Sequence, residues 1–149
     1  MPEPFTEIPV RQSKCRSAVA MILMSQVADQ NGNGLTNAEM SGGSISYNCF
    51  DINSLTPRTP ILTGTITPIS SVLFDTLVTN DPRWTAGNEP GPTGLVGYNF
   101  RWIAPIGLTT LNQQGPGKRR IEILGTPATG PTFWFGAWEF TVAEMLSIY

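Results

Sequence analysis

Glycine and proline interrupt this sequence more often than they do in an average domain, and the segments between them are short. The chain of 149 residues has 15 glycines and 13 prolines, whereas these two residues usually make up about 12% of a protein. Proline breaks helices and glycine weakens them, but both suit the turns between strands. Only 13% of the residues are charged. This composition favours many short strands joined by irregular loops and argues against a helical bundle or a coiled coil.

Seven segments have the pattern of β-strands. Apolar and polar residues alternate in most of them, which places one set of side chains on each face of a strand. The first segment also fits a short helix, and the fourth also fits a helical turn. The segments are residues 17–28, 44–52, 60–69, 71–79, 97–103, 118–124 and 133–142. The last two are joined by a glycine- and proline-rich loop, which predicts an antiparallel hairpin.

These segments predict an all-β fold with a single domain over residues 17–149. Seven short strands in a chain of this length favour an immunoglobulin-like antiparallel β-sandwich, with a jelly roll or a small β-barrel as alternatives. Residues 1–16 form an extended N-terminal arm, because Pro2, Pro4 and Pro9 disfavour a helix there. The arm carries apolar residues that we expect to lie on its own domain or on a neighbouring protein, namely Phe5, Ile8 and Val10.

Three further aromatic residues are candidate partner contacts. Trp84 is the large apolar residue of the long loop 80–96, and the alternative is that it closes one end of the core. In the last strand, the even positions form an apolar stripe that predicts the core face, which leaves Phe133 and Phe135 pointing outward. The stripe consists of Trp134, Trp138, Phe140 and Val142.

No catalytic motif is present, and several classes of function are disfavoured. The chain has no histidine, which removes the commonest general base and metal ligand. Its net charge of −2 gives no field that would attract nucleic acid or an anionic membrane. The N-terminus lacks a secretory signal, and the most apolar run, residues 18–24, is too short to cross a bilayer. We therefore expect a non-enzymatic protein made in the cytoplasm.

One segment has the beginning of a calcium-binding loop. Residues 29–34, DQNGNG, fit its first half, but its twelfth position, which should be an acid, is Met40. An Asn/Gly hairpin turn explains the same residues, so we expect neither a metal nor another cofactor. The two cysteines, Cys15 and Cys49, favour reduced thiols, with a disulfide as the alternative.

Several of the strand segments resemble small accessory virion proteins of tailed bacteriophages and prophages. The resemblance rests on ISYNCFD (residues 45–51), the segment 71–79 that ends before Trp84, GYNFRW (residues 97–102) and the final hairpin RIEIL…FWFGAWEFTV. It implies a β-sandwich that decorates or cements a capsid, or that acts as an adaptor in a tail or baseplate. The implied partners are other virion proteins, such as a major capsid protein, and its own copies. A carbohydrate- or surface-binding β-sandwich module is the alternative from the residues themselves.

Overall fold

A computed structural model of the chain describes residues 10–16, 21–52, 59–84, 90–104 and 117–143. Over these ranges the chain forms eight strands and one short 3-10 helix, Ile69–Ser71. Each of the seven predicted segments contains a strand, and an eighth comes from the predicted arm. The strands are β1 (Val10–Arg16), β2 (Met21–Ser25), β3 (Ser44–Asp51), β4 (Leu62–Ile66), β5 (Leu73–Val78), β6 (Tyr98–Ala104), β7 (Gly117–Thr126) and β8 (Phe133–Ala143).

The strands form two sheets that pack against each other. One sheet has the order β1-β8-β7-β3-β4 and the other the order β2-β6-β5. The pairs are antiparallel, with the exception of β1, which lies parallel to β8. The predicted fold class is confirmed: the protein is an all-β sandwich, and β7 and β8 form the predicted hairpin.

The core lies between the two sheets. Ile121 and Ile123 of β7 and Phe100 of β6 are completely buried there. Phe100 contacts Phe135 of β8 edge to face, with ring centroids 5.1 Å apart and an interplanar angle of 88°. The hydroxyl of Ser25 in β2 also donates to the carbonyl oxygen of Phe135 at 2.6 Å. Ring packing and a hydrogen bond therefore join the two sheets at the same residue.

A β-bulge in β8 changes the direction in which its first residues face. Successive residues of β7 oppose Trp134 and Gly136, which leaves Phe135 as an extra residue between them. Gly136 has a φ of +151°, and a Cβ there would lie 2.8 Å from the ring of Trp138. Because the extra residue shifts the alternation, Phe135 and Trp138 both face the core, at 1% and 4% exposure. The predicted outward orientation of Phe135 is wrong, and Trp134 is half-buried outside the core rather than part of it.

The end of the predicted arm forms β1, which lies on the same chain. Residues 10–16 pair with residues 137–143 of β8, and residues 1–9 lie outside the described residues. Two strands, β8 and β7, separate β1 from β3. Three strand spacings alone therefore place the Cα atoms of Cys15 and Cys49 at least about 14 Å apart, and the register adds an offset along the strands, whereas a disulfide needs Cα atoms within about 7 Å. This distance excludes the disulfide alternative.

A tight hairpin turn occupies the segment that resembles the start of a calcium loop. Ala28 and Gly34 pair as an antiparallel bridge at its base. Oδ1 of Asp29 accepts hydrogen bonds from the backbone N–H groups of Asn31 and Asn33, at 2.8 and 3.0 Å. The carboxylate thus stabilises its own turn, and the segment forms a hairpin turn as predicted.

Candidate docking surface

The predicted contact residues are found in different environments. Phe5 and Ile8 lie outside the described residues, and Val10 is the first residue of β1. Phe133 is half-buried against the core, and Phe135 belongs to the core. The bulge turns Phe135 into the core, so the prediction that Phe135 contacts a partner from an outward patch is wrong. A partner contact at the half-buried Phe133 stays a prediction.

Trp84, the third aromatic candidate, lies in a turn that follows β5. Its backbone N–H donates to the carbonyl oxygen of Asp81 at 3.0 Å. Its ring packs on the ring of Tyr98 in β6, with centroids 5.6 Å apart and an interplanar angle of 47°. The side chain is half-buried and lies outside the core. Trp84 is thus held against a neighbouring ring rather than presented as a flat exposed surface.

In the same turn, the carboxylate of Asp81 contacts three other side chains. We call these four residues the Asp81 cluster: Asp81, Arg83, Tyr98 and Arg101. Arg83 donates from Nε to Oδ1 of Asp81 at 3.0 Å and from Nη2 to Oδ2 at 2.9 Å. The phenol of Tyr98 donates to Oδ2 at 2.6 Å, and Nη1 of Arg101 lies 3.8 Å from the same oxygen. The Asp81 side chain is only 8% exposed. Both of its oxygens are therefore engaged within the protein.

The protonation states of the cluster follow from these contacts. Hydrogen bonds from the Arg83 and Tyr98 side chains hold the pKa of Asp81 well below its ordinary value of 3.8. The hydrogen bond to Asp81 raises the pKa of Arg83. Burial, followed by the hydrogen bond to Asp81, raises the pKa of Tyr98. At neutral pH Asp81 is therefore ionised, Arg83 is charged and Tyr98 is neutral. In these states the side chains fix the turn after β5 to the start of β6.

Two isoleucines lie side by side on the outer face of the three-stranded sheet. Ile22 of β2 and Ile103 of β6 are directly opposed in the strand register. They are 40% and 57% exposed. Side chains at opposed positions have Cβ atoms about 4.5–5.5 Å apart, so the two form one continuous apolar area, which we call the isoleucine pair. Leu23 and Trp102, the next residues along each strand, pack on the core side.

Arg101 connects the isoleucine pair with the Asp81 cluster. It lies two residues before Ile103 and therefore on the same face of β6. Its guanidinium carbon lies 5.6 Å from the centroid of the Phe74 ring in β5, within the range of a cation–π contact. Arg101 thus connects Phe74 and the Asp81 cluster with the strand face that carries the isoleucine pair, and we call these residues together the docking surface. It has an apolar centre and a charged, hydrogen-bonded margin.

Gln26, which directly follows β2, fixes the described end of the long loop. Its Nε2 donates to the carbonyl oxygens of Leu95 and Gly97 at 2.8 and 2.9 Å. Its Oε1 accepts from the backbone N–H and the hydroxyl of Thr93 at 2.9 and 2.8 Å. One side chain thus holds residues 93–97 in place, and it leaves the side chain of Leu95 62% exposed.

Sequence reasoning did not identify the isoleucine pair. Ile22 lies in a segment that is apolar at every position from 18 to 24, where alternation cannot distinguish the two faces. Ile103 did carry a signal, because alternation places it on the polar face of its strand with Asn99 and Arg101. A single exposed aliphatic residue is common on protein surfaces, so this signal gains meaning only from the pairing of Ile103 with Ile22.

No protein-family model matches the chain, and no curated protein matches its sequence. In the part of the chain that the structure describes, no helix is long and apolar enough to span a bilayer. Within the same residues, no three acidic, cysteine or histidine side chains gather as a metal site. What the docking surface offers is apolar area, two partly exposed guanidinium groups and aromatic rings. These groups are suited to contact with another molecule.

Proposed function

We propose that the protein is a non-enzymatic structural protein of a tailed-bacteriophage virion, specifically a capsid decoration or cement subunit that acts through protein–protein contacts. Its partners are then a major capsid protein and its own copies, and its location is the virion. The observation that carries this proposal is the isoleucine pair, two large aliphatic side chains that are opposed and exposed on a regular sheet face. The resemblance of the strand segments to accessory virion proteins supports the choice of assembly.

The isoleucine pair favours a protein partner because burying it would release free energy. Complete burial of an isoleucine side chain contributes about 1.5–3 kcal/mol relative to full exposure. Single exposed aliphatic residues are common on protein surfaces, whereas adjacent ones with a polar margin are typical of interaction sites. Ile22 and Ile103 are adjacent, and the Asp81 cluster forms such a margin.

The margin also indicates the chemistry of the partner. Arg83 and Tyr98 already occupy the oxygens of Asp81, while the Arg101 side chain is 32% exposed. A guanidinium has five N–H donors, so Arg101 retains donors that point to solvent. A matching partner surface has apolar side chains that cover the isoleucines and a carboxylate that reaches Arg101.

The role of a decoration subunit also explains how so small an apolar centre could be sufficient for stable binding to a capsid. A stable interface between two proteins usually buries about 1,600 Å² in total, and two isoleucines provide a small part of that area. On a capsid the partner is repeated many times, so copies that contact each other as well as the lattice bind with a raised effective concentration. Modest contacts at each copy then add up to stable attachment.

The positions of the aromatic rings favour a protein partner over a carbohydrate. A sugar-binding platform needs exposed flat rings, but three of the four described tryptophans are engaged elsewhere and the fourth, Trp134, is half-buried. Trp84 packs on Tyr98, Trp102 packs on Tyr47 with centroids 5.0 Å apart, and Trp138 lies in the core. A tail or baseplate adaptor would use the same docking surface, and the experiment below separates it from a capsid subunit.

Co-sedimentation with virion parts tests the proposal. The full-length protein is mixed with purified heads, and separately with purified tails, of the phage or prophage that encodes it. We expect wild-type protein to sediment with heads. The variant Ile22→Ser/Ile103→Ser should lose this binding and keep its melting temperature, because both side chains are on the outer face.

Leu95→Ser provides the matched control, since it removes an exposed aliphatic side chain outside the sheet face. We expect it to bind heads like the wild type. Binding to tails alone would support the adaptor role instead. Absence of binding to either part, together with retention on immobilised glycans that Trp84→Ala abolishes, would refute the proposal in favour of a carbohydrate-binding module.

A further inference from the structure

The second feature that concerns assembly is the outer edge of β4, in the sheet opposite the docking surface. β4 is the last strand in the order β1-β8-β7-β3-β4, and among the described strands it pairs only with β3. Only one of its five residues, Ile66, is buried. The backbone groups on its other side have no strand partner within the described residues, and such an edge readily pairs with another strand.

The other three outer strands have protection that β4 lacks. β1 contains three basic residues, and charges on an edge oppose pairing with another strand. β5 is covered by Asn37, whose side-chain amide donates to the carbonyl oxygen of Leu73 and whose backbone N–H donates to Oδ1 of Asp75, both at 2.8 Å. In β2, four of the five residues are buried. By contrast, no charged residue occurs from position 60 to position 68 around β4.

The sequence of this edge is self-complementary. Residues 60–68 are PILTGTITP, an order that is nearly unchanged when it is reversed about Gly64. If two copies pair antiparallel about this glycine, Thr63 of each lies opposite Thr65 of the other, and Leu62 lies opposite Ile66. Thr–Thr pairs are favourable across strands, and aliphatic pairs bury apolar area. A two-fold contact between identical chains needs a surface that matches itself in this way.

Two features restrict such a pair to this register. Directly opposed residues lie on the same face of a sheet, and Leu62 and Ile66 both pack toward the core, so they can face each other without burying a threonine. Pro60 and Pro68 limit the ladder to the residues between them, because proline has no N–H to donate. A shift of the register by two residues would place a proline opposite β4.

From these observations we propose that two copies of the chain pair through β4, antiparallel and centred on Gly64, so that their five-stranded sheets become one continuous sheet. The occupant of the β4 edge is thus β4 of a second copy. One pair of strands buries a small area compared with a standard interface, so the dimer is reversible. The inference concerns a different surface from the isoleucine pair and does not depend on the proposed docking to capsids.

The glycine at the centre of this pair is required by the core. Gly64 lies opposite Tyr47 of β3, and a Cβ at this position would collide with the Tyr47 side chain. The Tyr47 ring packs on Trp102 of the other sheet, with centroids 5.0 Å apart, and its hydroxyl reaches across the backbone of β4. In the proposed dimer the two phenols are therefore neighbours at the two-fold axis.

Charges at the opposed threonines test the pairing in the full-length protein. Thr63 and Thr65 are exposed, so Thr63→Lys/Thr65→Lys should keep the melting temperature. In the proposed register this variant places lysine opposite lysine, which should raise the Kd of the dimer at least about tenfold, measured by sedimentation over a range of concentrations. Thr63→Glu/Thr65→Glu should do the same. An equal mixture of the two variants should restore the dimer, because each lysine then faces a glutamate.

Thr126→Lys/Thr129→Lys is the matched control, because it makes the same two exchanges at exposed threonines near the turn between β7 and β8. We expect it to form dimers like the wild type. Dimers that persist in both the lysine and the glutamate variants, or a mixture of these variants that remains as single chains, would overturn the inference. Ile22→Ser/Ile103→Ser should form dimers normally, which separates this inference from the proposed function.

Measurements on the unaltered protein guard against a variant that fails to fold. Sedimentation of the wild type should give a mass that rises from one chain to two as the concentration increases. Over the same range, hydrogen exchange of backbone amides in residues 61–67 should slow, because N–H groups at the open edge become bonded. A wild type that is a single chain at every concentration, or a dimer in which the slowed amides lie elsewhere, would refute pairing through β4.

Discussion

The phenol of Tyr98 donates a 2.6 Å hydrogen bond to Oδ2 of Asp81, and so connects the first residue of β6 with the turn that follows β5. Arg83 holds the same carboxylate from within the turn. Arg101, on the strand that carries Ile103, is close to it as well. The ionised carboxylate therefore stabilises the margin of the docking surface, and its protonation should loosen that margin.

Acid should destabilise the wild type more than a variant that lacks this carboxylate. The pKa of Asp81 in the folded protein lies below its ordinary value of 3.8. Its contribution to stability is therefore present above that value and is lost as the pH falls toward the folded-state pKa. The variant Asp81→Asn has no such contribution at any pH, so its free energy of unfolding should fall less steeply as the pH is lowered from about 5 to about 2. Urea titrations over this range measure the difference.

Tyr98→Phe serves as an intermediate case for the same titration. It keeps the carboxylate and the Arg83 contact but removes one hydrogen bond, so its acid sensitivity should lie between those of the wild type and Asp81→Asn. If wild type and Asp81→Asn lost stability in parallel, the cluster would not be the source of the acid dependence.

The bulge in β8 makes Phe135 a core residue, and truncation tests this assignment. Phe135→Ala should lower the free energy of unfolding by about 3–5 kcal/mol, the usual cost of deleting a buried phenylalanine ring. Glu139→Ala, on the outer face of the same strand, removes only a partly exposed contact with Arg120 and should cost less than about 1 kcal/mol. Similar losses for the two variants in urea would show that the strand faces are assigned incorrectly.

Gly136 is required at the bulge for two reasons, so Gly136→Ala should be destabilising. Its positive φ is unfavourable for other residues, and the added Cβ would meet the Trp138 ring. We expect a loss of about 1–3 kcal/mol, measured by thermal or urea unfolding. Gly34→Ala is the matched control, because a Cβ there would be 3.6 Å from the Asn99 amide, an ordinary contact. Equal tolerance of both substitutions would contradict a strained bulge.

Asn99 joins β6 to the segment that follows β2, and a charge at this position should make stability depend on pH. The side chain is 1% exposed, accepts from the N–H of Val27 and donates to the carbonyl oxygens of Val27 and Leu35. In Asn99→Asp the buried carboxylate would face two carbonyl oxygens, which raises its pKa and costs at least about 1–3 kcal/mol at neutral pH. Stability should be partly restored as the pH falls, because the protonated acid can donate again. A loss that is equal at all pH values would argue against these contacts.

Calcium should not stabilise the turn at residues 29–34. Asp29 already accepts two backbone N–H groups, and an ion that binds the folded state must raise its melting temperature. We expect the same melting temperature with and without calcium at about 1 mM, measured by differential scanning fluorimetry. Asp29→Ala should lower it in both conditions, whereas a calcium-dependent rise that this variant abolishes would establish a metal site.

The sequence predicts the hairpin of β7 and β8 because its signals are local. Ile121 and Ile123 alternate with charged residues, and a loop of glycine, proline and threonine separates the two strands. The facing of Phe135 could not be predicted in the same way. Alternation has a period of two, so a single extra residue reverses every face before it, and only the pairing with β7 reveals that residue.

The docking surface and β1 were harder to predict because they depend on which strands are neighbours. Ile22 lies opposite Ile103 because β2 pairs with β6, a relationship between segments about eighty residues apart. β1 has no apolar alternation to indicate its partner, since its pairing with β8 uses main-chain groups that every residue possesses. Local patterns contain no information about either choice.

The contacts at the end of β2 determine how the strand would resist a force applied at Ile22. β2 lies at the border of its sheet, and such a strand ordinarily frays from its end one hydrogen bond at a time. Here Ser25 is tied to Phe135 in the opposite sheet, and Gln26 is tied to the loop at Thr93, Leu95 and Gly97. Separation of β2 from the sheet at this end would have to break the hydrogen bonds of Ser25 and Gln26 at the same time. A force applied at the isoleucine pair is therefore transmitted to both sheets of the sandwich. It does not simply detach β2 one hydrogen bond after another.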